Sequence, residues 1–116
     1  MIILYGINTC STVKKARNWL TSNQIDYQFH DVRVAGLSMA LLESFVARVD
    51  DWSCLLNKKS TSWRAMSPEL QCSAMTLEGA LLLLETYPTL LKRPIIDSGT
   101  HLFVGFDLAV YERHLL

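Results

Sequence analysis

Ile2-Ile3-Leu4-Tyr5 is a short unbroken apolar run closed by Gly6, the pattern of a strand covered on both faces in the middle of a sheet. A polar loop, Gly6 to Cys10, follows it. From Ser11 to about Ser22, Val13, Ala16 and Leu20 fall at offsets 0, 3 and 7, which is the spacing of one helical face. Ile25, Tyr27 and Phe29 then alternate with Asp26, Gln28 and His30, the period of a strand with one face in water. The chain therefore opens strand, helix, strand, and a right-handed crossover through the helix makes the two strands parallel neighbours.

Between about residues 38 and 87 the periodicity turns helical. Ser38 is a good N-cap, Leu37 and Leu42 can staple around it, and Leu41, Leu42, Phe45, Val46 and Val49 make one apolar stripe. Asp51 can cap a short turn containing Trp52, Leu55 and Leu56. Ser67 with Pro68 marks another helix start, and Thr76 a third before Leu77, Ala80, Leu81 and Leu84, in a helix ended by Pro88. Strands return at Pro94 to Ile96 and Leu102 to Val104 around the turn Asp97-Ser98-Gly99-Thr100, and Asp107 caps a final short helix with Leu108, Tyr111 and Leu115 on one face. The order β-α-β, helical insert, β-β-α is an α/β arrangement. It resembles the thioredoxin-like plan, a mixed four-stranded sheet, here as one domain over residues 1–116.

Composition supports a folded domain: 116 residues is an ordinary domain size, and 50% of them are hydrophobic while 19% are charged. Eleven basic residues balance eleven acidic ones, so the overall field offers no general attraction for nucleic acid or an anionic membrane. No apolar run nears the roughly 20 residues of a membrane span, and Met1 to Leu4 lacks a basic flank. The expectation is a cytoplasmic protein with no direct nucleic acid or membrane partner. Cys10, Cys54 and Cys72 are odd in number and widely spaced, which favours reduced thiols over a disulfide framework or a metal knuckle. His30, His101 and His114 show no metal-ligand spacing, and no metal site is expected.

Cys10 stands where the first strand gives way to the first helix, and there unpaired N–H groups and the helix dipole favour a thiolate. Met1 to Ile25 contains no Asp or Glu, while Lys14, Lys15 and Arg17 follow the cysteine closely. Two readings stay open from position alone: an activated thiol or local anion site, and a small buried filler beside a solvated basic face. Val13 fills the place of the second cysteine of a CxxC pair, so the site is monothiol. Cys54 and Cys72 lie in the helical insert and could in principle resolve a bond to Cys10, but both sit among apolar helical neighbours, and buried filler is the better reading for each. Arg93-Pro94 opens the third strand beside the cysteine end of the sheet, with cis and trans bonds both open. Arg93 offers a planar, permanent charge that suits an oxyanion or a carboxylate.

The ordered set Tyr5-Gly6-Ile7-Asn8-Thr9-Cys10, Lys14-Lys15-Ala16, His30-Asp31, Leu55-Leu56-Asn57-Lys58, Trp63-Arg64 and Lys92-Arg93-Pro94-Ile95-Ile96 resembles the arsenate reductase (ArsC) family of thioredoxin-like proteins, in particular its small Spx/YffB-like branch. The resemblance covers nearly the whole chain. It implies that Cys10 matches the family nucleophile and Arg93 the arginine before the cis-proline Pro94. The family's reductases carry two further arginines, where this chain has Asn57 and His101. YffB-like members imply glutathione-dependent thiol reduction, and Spx members imply binding to RNA polymerase.

The leading expectation is a glutathione-dependent monothiol reductase with Cys10 as nucleophile, Lys14 and the helix dipole stabilising its thiolate, and Asn8, Arg93 and Pro94 contacting substrate. Glutathione would be a co-substrate, with no bound cofactor, and glutaredoxin or another protein a possible partner. The rival expectations are an Spx-like binding module without catalysis and a true arsenate reductase.

Overall fold

The computed structural model describes residues 1–116. Four strands, β1 (Ile2–Gly6), β2 (Tyr27–Asp31), β3 (Ile95–Asp97) and β4 (Leu102–Val104), form one sheet in the order β2-β1-β3-β4. β1 runs parallel to β2 and antiparallel to β3, which is antiparallel to β4. Helices α1 (Ser11–Ser22) and α7 (Leu108–Leu115) complete this unit, residues 1–31 and 93–116. Sheet and helices together form the mixed, thioredoxin-like α/β architecture anticipated from the order of apolar patterns.

One cross-strand row explains why the helices dock. Phe29, Leu4, Ile96 and Phe103 occupy paired positions across all four strands. Leu4, Ile96 and Phe103 are buried in a cluster with Val13, Ala16 and Leu20 of α1 and Tyr111 of α7. Burying each large apolar side chain of this kind contributes roughly 1.5–3 kcal/mol. Tyr111 keeps its polar end satisfied by donating its hydroxyl to the Gly105 carbonyl at 2.8 Å, and burial holds its pKa well above the usual tyrosine range. Its ring meets Trp19 at 5.5 Å and Phe106 at 5.4 Å.

α1 ends by a local hydrogen-bond device. Gln24 adopts a left-handed φ of 58°, its N–H donates to the Thr21 carbonyl and the N–H of Ile25 to that of Leu20, the paired bonds of a Schellman stop. Ile25 is thereby spent on the helix. This is why β2 begins at Tyr27 rather than at Ile25. β3 likewise begins at Ile95, one residue later than the apolar run, because Pro94 has no N–H to give to a ladder.

Residues 32–92 form the second unit. Its elements are α2 (Val32–Ala35), α3 (Met39–Val46), a 3-10 turn (Trp52–Leu55), α4 (Thr61–Arg64), α5 (Pro68–Ser73), α6 (Leu77–Thr86) and a 3-10 turn (Pro88–Leu90). Ser38, Asp51, Ser67 and Thr76 cap their helices through side-chain oxygens as expected, and Ser60 does the same for α4. α6 buries Ala80, Leu81, Leu83 and Leu84. A lone bridge pairs Leu56 with Leu91, reinforced by Asn57 N–H to Leu90 O at 2.8 Å and Lys92 N–H to Leu55 O at 2.7 Å. The helical stretch opens earlier than Ser38, at Val32. No helix is long and apolar enough to cross a membrane.

The buried-filler reading of Cys54 and Cys72 is wrong: both are exposed. Cys54 lies on a 3-10 turn that buries Leu55, and α5, which carries Cys72, buries no residue at all. Apolar neighbours in sequence did not become neighbours in space.

Two backbone substitutions are expected to have opposite signs. A Cβ at Gly79 would collide with the Ser73 carbonyl, so Gly79→Ala should destabilise the chain by about 1–3 kcal/mol, despite alanine's better helix propensity. Gln24→Gly removes the left-handed penalty and should stabilise by about 0.5–1 kcal/mol. Urea unfolding of the two variants beside the parent chain measures both values.

Candidate functional site

Cys10 is the N-cap of α1 and half-buried. The loop holds it from both sides: its N–H donates to the Ile7 carbonyl at 3.1 Å and its carbonyl accepts the Lys14 N–H at 3.0 Å. Its side chain makes no regular capping hydrogen bond, and the first turn of α1 contains no acid. Burial pushes the thiol pKa up, but the Val13 N–H, the Arg93 side chain and the Thr12 N–H together outweigh it. They hold the thiol below its ordinary value.

Arg93 reaches the sulfur from the other half of the unit. The guanidinium lies close enough to the Cys10 sulfur to favour its thiolate. The Arg93-Pro94 bond is cis, which resolves the alternative left open by the sequence. Pro94 is buried and its carbonyl accepts the Gly105 N–H at 2.8 Å. Ile95 pairs with Tyr5, so Pro94 stands at the carboxyl end of β1, where the loop to Cys10 departs.

Asn8 and Lys14 are exposed and share a groove of about 360 Å³ with Arg17, Asn18, Thr21 and Tyr27. The structure thus joins Cys10 to Arg93 directly and sets Asn8 and Lys14 on the adjoining surface. Asn18, Thr21 and Tyr27 escaped the sequence reading. The signal was present in the spacing, since Cys10, Lys14, Asn18 and Thr21 follow one another at intervals of four, four and three.

The two positions that depart from the family arginines are occupied otherwise. Asn57 turns its side-chain oxygen back to accept the Lys59 N–H at 3.1 Å. His101 Nδ1 lies 3.0 Å from the Thr100 hydroxyl, and its ring stacks on Phe103 and meets His114. No three His, Cys, Asp or Glu side chains are gathered to hold a metal ion.

A four-stranded mixed sheet whose first helix is capped by a thiol defines a thioredoxin-like protein. The chain belongs to the ArsC family, whose sequence profile matches residues 5–114. It is 38% identical over 112 residues to an uncharacterized protein of Haemophilus influenzae, covering 97% of this chain and 96% of the relative. It is 25% identical over 108 residues to the global transcriptional regulator Spx of Streptococcus pyogenes, covering 92% and 79%. The solved structure of a YFFB protein superposes with a TM-score of 0.93 at 31% identity and full coverage of both chains.

The lowered thiol predicts selective chemistry. Iodoacetamide at pH 7 should modify Cys10 faster than Cys54, an exposed residue whose thiol pKa is raised by partial desolvation of the sulfur and by Asp51 and Asp50. Because the thiolate is the nucleophile, the Cys10 rate should reach half its maximum at a pH below the free-thiol value of about 8.5. Arg93→Gln should move that midpoint upward. Mass spectrometry of timed alkylation gives both quantities.

Proposed function

We propose that this protein is a glutathione-dependent monothiol reductase with Cys10 as its nucleophile. The observation that carries the reading is the Cys10 sulfur lying between two backbone N–H groups and the Arg93 guanidinium, an environment that favours negative charge. Val13 at the CxxC position leaves the resolving step to an external thiol.

The chemistry balances in two exchanges. The Cys10 thiolate attacks the glutathione sulfur of a mixed disulfide R–S–S–G, breaking that bond, forming Cys10–S–S–G and releasing the thiolate RS⁻. A second glutathione thiolate then attacks the glutathione sulfur bound to Cys10, forming oxidised glutathione and returning the Cys10 thiolate. The net exchange is R–S–S–G plus one glutathione thiolate giving RS⁻ and oxidised glutathione: the substrate sulfur is reduced from disulfide to thiolate, the incoming glutathione sulfur takes its place in the disulfide, and Cys10 is returned unchanged. Arg93 and the Thr12 and Val13 N–H groups favour Cys10 as the leaving thiolate of the second step. In this reading Asn8 and Lys14 contact the substrate from the groove, and Pro94 does so from the start of β3.

Arsenate is the weaker substrate reading, because a tetrahedral oxyanion needs several convergent donors and neither Asn57 nor His101 supplies a guanidinium. Similarity to an Spx regulator favours a second reading, a partner-binding module. Retention of one stoichiometric protein by Cys10→Ser, unaffected by glutathione, would replace the enzymatic reading with that one.

Incubation with oxidised glutathione should add one glutathione to Cys10, seen as a mass increase on its tryptic peptide and absent from Cys10→Ser. Reduced glutathione should then remove it, and reduction of a glutathionylated peptide should fall at least about 100-fold in Cys10→Ser. A chain that stays unmodified at Cys10 would overturn the proposal. Arsenate turnover with glutathione and glutaredoxin should not exceed background.

A further inference from the structure

α1 has two faces. Val13, Ala16 and Leu20 are buried in the sheet cluster, whereas Lys14, Asn18 and Thr21 are exposed and Arg17 half-buried. Residues three and four apart share a helical face, so the polar stripe begins at Cys10 and continues through Lys14, Arg17 with Asn18, and Thr21. The groove beside β2 follows this stripe. Its lining has two cations and no acid.

Arg17 is held in a fixed pose within the groove. Its Nε donates to the Tyr27 hydroxyl at 2.9 Å, and its Cζ stands 4.1 Å from the Phe29 ring centroid and 5.9 Å from that of Tyr27. With Nε engaged by Tyr27 and Cζ over the Phe29 ring, the two terminal nitrogens are the donors left for a planar bidentate anion. The helix rises about 1.5 Å per residue, which sets Lys14 about 6 Å and Arg17 about 10 Å beyond Cys10. A cysteinyl peptide carries its next carboxylate roughly two residues from the sulfur, a reach of about 7 Å.

We propose that this groove is the subsite for a carboxylate of a peptidic thiol whose sulfur faces Cys10, with Arg17 and Lys14 as the carboxylate-binding cations and Asn8, Asn18 and Tyr27 as polar walls. The inference deepens the reductase reading and rests on it for the identity of the ligand. It makes Arg17 a specificity-determining residue that separates carboxylate-bearing thiols from small neutral ones.

S-methylglutathione tests the subsite without any thiol chemistry, because its sulfur cannot exchange. Titrated into the ¹⁵N-labelled full chain, it should shift the amide resonances of Lys14, Arg17, Asn18 and Tyr27. Its glycine-carboxylate amide should bind about tenfold more weakly. Arg17→Gln should weaken binding of the acid to a similar degree. Asn18→Asp places a repelling charge at an exposed position without touching the core, and should weaken binding several-fold with the far-UV spectrum unchanged. Equal binding of acid and amide, shifts confined to residues outside the groove, or unchanged binding by Asn18→Asp would each overturn the proposal. Failure of Cys10 to form a mixed disulfide would count instead against the reductase reading, since the methylated ligand reports only on the groove.

Discussion

The docking of α1 on β1 is the constraint on which the rest of the site depends. Val13, Ala16 and Leu20 seat the helix on Leu4 and Ile96, and the approach is so close that a Cβ on Gly6 would lie 2.7 Å from a Val13 methyl. Such a distance is far inside ordinary packing contact, so Gly6 is the residue that lets strand and helix meet. Their meeting fixes the short loop between them, and with it the position of the Cys10 sulfur over the first N–H groups of the helix. β3 then needs only its antiparallel register with β1 to bring Arg93 to the same end of the sheet.

The choice of cap sets the electrostatics at this end of the sheet. The other α-helices of eight residues or more, α3, α6 and α7, start at Ser38, Thr76 and Asp107, each accepting a backbone N–H through an oxygen. A cap of that kind is worth about 1 kcal/mol. At α1, the longest helix, the chain forgoes a regular oxygen cap and puts a thiol in its place, with no acid in the first turn to compete for the positive end. Sulfur is a poor acceptor when neutral and a much better one as a thiolate. The orphan N–H groups therefore favour the ionised form, and Arg93 adds to the same preference.

Local signals carried much of this into the sequence. α1 has the bounds its apolar offsets predict, and the caps at Ser38, Asp51, Ser67, Thr76 and Asp107 form because short polar side chains act on their own turn. Features set by distant partners were hidden. α2 and α4 are four-residue helices, too short to display a period, and the exposure of Cys54 and Cys72 depends on which faces of short elements find a neighbour. At the site, Cys10 and Arg93 stand out by position and motif, but the electrostatic influence of one on the other joins residues 83 positions apart. The groove was hidden for a related reason: Tyr27 and Phe29 look like ordinary strand residues until the parallel pairing of β2 with β1 sets them beside Arg17.

The valine at position 13, in place of the second cysteine of a CxxC pair, follows from the same packing. Val13 occupies the place where a CxxC motif would put its resolving thiol, and there it is wholly buried and packed over Gly6. That position is committed to holding the helix in place. Cys54 is no better suited as a resolving thiol, because burial and the neighbouring Asp51 and Asp50 carboxylates hold it above the ordinary thiol range, where the thiolate fraction at neutral pH is small. Cys10 and Cys54 are thus shifted in opposite directions from the ordinary thiol range.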